Sequence, residues 1–235
     1  MIEVVEDSSL PENGFIETRI KTDISNISFS LPSSLPQSKP FLCCTSHSLN
    51  ILNCCVVPSE SDVVIEYSFC GVLNGAMNLD QFGVADTFFG SFPIICVYGE
   101  NAEGTLNEVF QRNVTSNSKD GLVAAEERGS IFIQNSEFSS CTLENCSIVL
   151  IINGNFVNIT NTDFHSITRQ KQNGACLCIP SEDNSEAVSV NVSNCEFVNC
   201  GVESESNGGG AIYVCSEDQS SLAVEKCCFT SCHAP

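Results

Sequence analysis

The stretch VSVNVSNCEFVNC, at residues 188–200, places two apolar residues two positions apart, Val190 and Val192, ahead of Asn194, Phe197 and Cys200. The same spacing recurs three times, as Ile131, Ile133, Asn135, Phe138, Cys141; as Val157, Ile159, Asn161, Phe164, Ile167; and as Leu222, Val224, Lys226, Phe229, Cys232. Successive Phe residues of this frame lie 26, 33 and 32 positions apart. Internal periods of roughly 20–50 residues are typical of solenoids, in which each repeat stacks on the next.

The frame has a direct structural interpretation as two strands joined by a corner. Val190 and Val192 share a parity, so on an extended strand both side chains point to one face. Asn194 has that parity too, but the next apolar residue, Phe197, comes three positions later, which requires a corner after the Asn. We expect the corner amides to point inward as a ladder formed by Asn135, Asn161 and Asn194. We expect the aromatic rings to stack in the interior as a column formed by Phe138, Phe164, Phe197 and Phe229.

A second segment of each repeat begins with glycine. Residues 209–214 read GGAIYV and residues 174–177 read GACL, each followed by an acidic SED run, and residues 121–124 read GLVA. Glycine adopts the positive φ of a tight corner easily, and the SED runs are typical of solvated turns. The sequence therefore predicts an all-β parallel β-helix. The alternative is an antiparallel sandwich, which also has short strands at regular spacing.

This interpretation divides the chain into a short N-terminal segment and a long β-helix. Residues 1–40 are predicted to form an N-terminal edge or cap and a Pro- and Ser-rich linker, and residues 41–235 the β-helix, with the clearest repeats at 105–235. The start, MIEVVEDSSL, lacks the basic and apolar segments of a signal peptide, and no apolar run has the length of a membrane helix. Because the frame reaches Cys232 and only three residues follow, we expect the sequence to be part of a longer protein.

The charge balance argues against several partners. With 29 acidic and 9 basic residues the formal net charge is −20, so no basic stripe exists to neutralise the phosphates of a nucleic acid. The acidic residues are spread over turns and do not have the spacing of a calcium loop. We assign no cofactor and no metal from the sequence.

The sixteen cysteines allow three interpretations. The frame places Cys195 over Cys227 and Cys200 over Cys232 on adjacent coils, within disulfide range. Buried free thiols acting as small apolar residues are the alternative, and a zinc site is disfavoured by the spacing. Five glycosylation sequons fit a secreted protein; they are at Asn26, Asn113, Asn145, Asn158 and Asn191.

Enzymes of β-helical fold that cleave polysaccharides use clustered carboxylates. Residues 161–163, NTD, and residues 19–21, RIK, match short motifs of the polygalacturonase type, but they occur in the wrong order and without an Asp-Asp pair. Asp163 belongs instead to a repeated acidic column with Glu137 and Glu196. No residue is therefore assigned a catalytic role.

The GGAI at residues 209–212, together with the Phe-x-x-Cys of residues 197–200 and 229–232, resembles the paired GGAI and FxxN repeats of chlamydial polymorphic outer-membrane proteins. It is also similar to cysteine-rich surface proteins of anaerobic parasitic protists. The resemblance covers residues 105–235. It implies a right-handed parallel β-helix, a solenoid like that of pectate lyase, displayed at a cell surface and used in adhesion.

The function expected from the sequence is that of a non-catalytic surface or secreted protein whose loops contact glycans or host proteins. One alternative is a polysaccharide-active lyase or glycosidase, or its inactive carbohydrate-binding relative, which a cleft with three converging carboxylates would favour. Another is an intracellular β-helical scaffold.

Overall fold

The computed structural model describes residues 16–31, 40–58, 64–171, 173–180, 187–203, 208–215 and 220–234. None of these residues is helical, so no helix among them could cross a membrane. In chain order the strands are β1 (Ile16–Thr18), β2 (Thr22–Ser25), β3 (Ser28–Leu31), β4 (Leu42–Thr45), β5 (Ser48–Pro58), β6 (Val64–Ile65), β7 (Cys70–Leu73), β8 (Ala76–Phe89), β9 (Ile95–Tyr98), β10 (Glu103–Asn107), β11 (Phe110–Ser116), β12 (Val123–Glu126), β13 (Ser130–Gln134), β14 (Glu137–Ser139), β15 (Thr142–Leu143), β16 (Val149–Ile152), β17 (Phe156–Thr160), β18 (Asp163–His165), β19 (Thr168–Arg169), β20 (Leu177–Ile179), β21 (Ser189–Ser193), β22 (Glu196–Val198), β23 (Gly201–Val202), β24 (Ile212–Val214), β25 (Ser221–Glu225) and β26 (Cys228–Thr230).

The strands stack in parallel columns, one strand of each column per coil. Eight strands form sheet A in the order β1-β4-β7-β9-β12-β16-β20-β24, and each pairs in parallel with the next. A second column runs β10-β13-β17-β21-β25, and a third, called column C here, runs β11-β14-β18-β22-β26. The long strands β5 and β8 pass through more than one column. The predicted all-β parallel β-helix is confirmed.

The interior is filled by the apolar positions of the frame. Phe138, Phe164, Phe197 and Phe229 form a continuous stack with 5.2, 4.9 and 4.7 Å between successive ring centroids. The first three rings are buried, whereas Phe229 is 47% exposed. On earlier coils the equivalent positions hold Phe29, Val56, Val84 and Gln111. The Phe positions therefore continue an interior column that begins upstream, where Val56 holds the Phe position of a degenerate copy of the frame.

The corner asparagines point outward, so the prediction of an inward amide ladder is wrong. Asn135, Asn161 and Asn194 are exposed and have φ of 52, 49 and 52°. A positive φ at the corner breaks the alternation of the strand, so the next residue, such as Cys195, points inward. On the outside of the β-helix, the Asn161 amide donates to the side-chain oxygen of Asn135 at 3.3 Å. Asparagine suits this corner because it tolerates the left-handed conformation better than most residues.

Other predicted segments are placed as follows. The region predicted as an N-terminal edge supplies β1 to β3, which pair with β4 and β5. Gly121, Gly174 and Gly209 have positive φ, which is the corner role predicted for them. The SED runs at 181–183 and 216–218, most of the linker and residues 1–15 lie outside the described residues.

Candidate functional site

A groove lies on the outer face of sheet A, and its floor consists of small side chains. Strand register places Cys43, Gly71 and Cys96 side by side on β4, β7 and β9, and Ala124 follows on β12. Leu150 occupies the next position of the row. Side chains on the outer face of a sheet normally stand away from it, so a row of small ones leaves a depression.

The walls of the groove bring aromatic and apolar side chains together with two carboxylates. The next outward row of the sheet carries Leu73, Tyr98 and Glu126 on adjacent strands. The volume is about 470 Å³. The lining residues are Pro40, Cys43, Ser68, Gly71, Val72, Leu73, Phe92, Pro93, Cys96, Tyr98, Asp120 and Glu126. Within the part of the lining that the structure describes there is no lysine, arginine or histidine, and its carboxylates offer a ligand hydrogen-bond acceptors.

Gly71 accommodates the close approach of Pro40. A Cβ added to Gly71 would lie 3.0 Å from Cγ of Pro40, which is tighter than ordinary carbon contacts. A side chain at this position would need a small shift of Pro40 and would take up space at the floor of the groove.

Burial and hydrogen bonding raise the pKa values of three groups in the groove. Burial raises the pKa of Asp120, although Lys119 acts in the opposite direction. Burial, with Glu126 and Asp120 nearby, raises the pKa of Cys96 to about 12, so this side chain remains a neutral thiol. The Tyr98 hydroxyl donates to Oε1 of Glu127, and this hydrogen bond raises the pKa of Tyr98.

No protein-family model and no curated protein matches this sequence. Among solved structures, two of QnrB1, a plasmid-mediated fluoroquinolone resistance protein, show a weak likeness. One is 12% identical, with 88% of this chain and 90% of that chain covered and a TM-score of 0.15. The other is 11% identical, with 78% and 91% covered and a TM-score of 0.17. At these TM-scores the likeness supports no conclusion about fold or function.

The cysteine pairs predicted from the frame are neighbours in the structure. Strand register places Cys195 beside Cys227, and Cys200 lies next to Cys232 on the following coil. All sixteen cysteines are free thiols. Cys200 donates to the Phe164 carbonyl at 3.2 Å and Cys232 to the Phe197 carbonyl at 3.3 Å. Each pair is therefore adjacent on neighbouring coils, and the choice between a disulfide and two buried thiols stays a prediction.

The five sequons fall into two groups. Asn26 and Asn113 are exposed corner residues with positive φ. Asn145, Asn158 and Asn191 are half-buried, and the Asn191 amide donates to the side-chain oxygen of Asn158 at 2.7 Å. The corner sites are therefore the more accessible to a glycosyltransferase.

Sequence reasoning missed the groove. Its floor depends on which residues of β4, β7 and β9 become neighbours, and residues 61–110 carry no clean copy of the frame. The acidic column was found correctly, because Glu137 pairs with Asp163 and Asp163 with Glu196 on column C.

Proposed function

We propose that this protein is a non-catalytic β-helical protein that acts at a cell surface or after secretion and binds carbohydrate through the sheet A groove. The observation that carries the proposal is the lining of that groove, where Tyr98 and Phe92 accompany the carboxylates of Asp120 and Glu126. Binding sites are typically concave and mainly apolar, with a few placed polar groups. A sugar ring offers an apolar C–H face to an aromatic ring and hydroxyl donors to carboxylates.

One feature of the same groove supports the alternative of a polysaccharide-cleaving enzyme. A carboxyl group with a raised pKa, such as Asp120, suits the general acid of a glycosidase. However, two carboxylates, Asp120 and Glu126, are among the described residues that line the groove, whereas three that converge would favour an enzyme. We therefore favour binding without catalysis.

Placement outside the cell is supported by the exposed sequons at Asn26 and Asn113 and by the resemblance to surface proteins. Mass spectrometry of the protein from its native source tests this part. We expect glycans at these two asparagines and disulfides between Cys195 and Cys227 or between Cys200 and Cys232. Bare asparagines together with sixteen free thiols would favour the intracellular scaffold instead.

The groove itself is tested by binding to an array of immobilised oligosaccharides. We expect the parent chain to bind at least one class of glycan, and Tyr98→Ala and Phe92→Ala to weaken that binding at least tenfold. Tyr213→Ala is the matched control, because Tyr213 also lies in an outward row of sheet A but outside the groove lining. Equal loss in the control, or binding that neither groove variant affects, would refute the groove as the binding site.

A further inference from the structure

The outer face of column C carries three carboxylates at equivalent positions on adjacent strands. Glu137 on β14 pairs with Asp163 on β18, and Asp163 pairs with Glu196 on β22. Adjacent strands are about 4.8 Å apart, so neighbouring carboxylates lie close enough to share a ligand. All three side chains are exposed.

An imidazole joins two of these carboxylates. His165 lies two residues after Asp163 on β18, so both side chains leave the same face of the strand. One ligand atom each from Asp163, His165 and Glu196 lies within 4.8 Å of the other two. His165 is half-buried between Ser139 and Val198 on the adjacent strands, which restricts its motion.

The three side chains have no partner among the described residues. No hydrogen bond or ion pair within that part of the chain involves the side chain of Asp163, His165 or Glu196. The like charges of Asp163 and Glu196 repel each other across the paired strands, and no ion pair within the described residues offsets them. A bound cation would remove this repulsion.

We propose that Asp163, His165 and Glu196 bind a divalent first-row transition metal ion on the outside of the β-helix. Carboxylate oxygens suit Mn²⁺, and imidazole nitrogen suits Zn²⁺, Fe²⁺ and Ni²⁺, so a set with both kinds of donor selects this class over Ca²⁺ or Mg²⁺. The three ligands lie on one side of the ion, which leaves its outer positions to water. Because the ligands come from β18 and β22, the ion links two successive coils. The site is separate from the sheet A groove and does not depend on the proposed carbohydrate binding.

The test is a titration of the purified full chain with Mn²⁺, followed by the loss of the free-ion signal in electron paramagnetic resonance. Mn²⁺ is the right probe because sixteen thiols would compete for Zn²⁺, whereas Mn²⁺ prefers oxygen and nitrogen ligands. We expect one bound Mn²⁺ per chain, and a loss of affinity of at least tenfold in His165→Ala and in Glu196→Gln.

The control that separates a metal site from a merely acidic surface is Glu137→Gln. It removes the same charge from the same column of carboxylates, but Glu137 is not one of the three clustered ligands. We expect it to change the affinity less than threefold. If Glu137→Gln weakens binding as much as Glu196→Gln, if His165→Ala has no effect, or if Mn²⁺ does not bind, the site does not exist.

A second measurement keeps the test independent of how well one variant folds. A ligand that binds only the folded state raises the melting temperature, so Mn²⁺ is expected to raise the Tm of the parent and of Glu137→Gln. Asp163→Asn and Glu196→Gln retain the shape of the side chains and are expected to lose this rise. A rise of equal size in these two variants would contradict the proposal.

Discussion

The ring of Phe164 lies parallel to the ring of Phe197, with 4.9 Å between centroids and 1° between planes. This spacing is close to the separation of neighbouring β-strands, about 4.8 Å, so each ring of the column covers the next as the coils stack. The Phe residues of the sequence frame are therefore the interior positions at which one coil contacts the next.

Replacing Phe164 with Ala is expected to lower the free energy of unfolding by about 3–5 kcal/mol, because a fully buried ring is lost between two others. Chemical denaturation followed by circular dichroism measures this change. Phe110→Ala is the control, since Phe110 is 48% exposed on β11, and it should cost less than about 1 kcal/mol. Equal costs at the two positions would contradict the interior stack.

The side chain of Asn161 lies outside the β-helix, so replacing it should affect stability through the backbone and not through the loss of a buried amide. Because Asn161 has a φ of 49°, Asn161→Ala is expected to cost about 1 kcal/mol through the strain of a left-handed alanine. Asn161→Gly should cost less, since glycine takes this conformation freely. A glycine variant no more stable than the alanine variant would contradict backbone strain at this corner as the cause of the loss.

Gln111 occupies a Phe position of column C and is fully buried. Neither its side-chain oxygen nor its nitrogen has a hydrogen-bond partner in the described structure. Unsatisfied buried polar atoms cost about 1–3 kcal/mol each, so Gln111→Leu is expected to stabilise the protein by about 1–2 kcal/mol. Gln134→Leu, at an exposed position of β13, is the control and should leave stability nearly unchanged. A destabilising Gln111→Leu would mean that the amide has a role in the interior that its contacts do not reveal.

The raised pKa of Asp120 predicts a pH dependence of stability. Its carboxylate is disfavoured by burial in the folded state, so the folded chain binds a proton more readily than the unfolded chain. The resulting penalty is fully present above the raised pKa and disappears below the ordinary value of about 3.9. Asp120→Asn is therefore expected to stabilise the protein at neutral pH and to lose this advantage in acid. An advantage that does not change with pH would rule out the burial of this charge as its cause.

The sequence predicts the fold where the frame is intact and misses what depends on register. Val190, Val192 and Phe197 were predicted to face the interior, because period-two alternation and the repeat length constrain them directly. Asn194 was predicted to point inward because it lies two residues after Val192. The alternation of inward and outward side chains ends at Asn194, however, because this residue has a positive φ and turns the chain.

The groove could not be predicted for a related reason. Cys43, Gly71 and Cys96 are 28 and 25 positions apart, and only the pairing of β4, β7 and β9 brings them together. For the proposed metal site, the sequence placed Glu196 beside Asp163, and what it missed was the imidazole of His165, two residues after Asp163 on β18.

The measurement that tests the central claim most directly is retention of oligosaccharides on the immobilised protein, followed by mass spectrometry of what is recovered. If the groove binds carbohydrate without catalysis, the parent retains a class of glycan, Tyr98→Ala does not, and the recovered glycan has its original mass. If nothing is retained, the binding proposal is wrong. If the glycan is recovered cleaved and Asp120→Asn abolishes the cleavage, the groove is the active site of an enzyme.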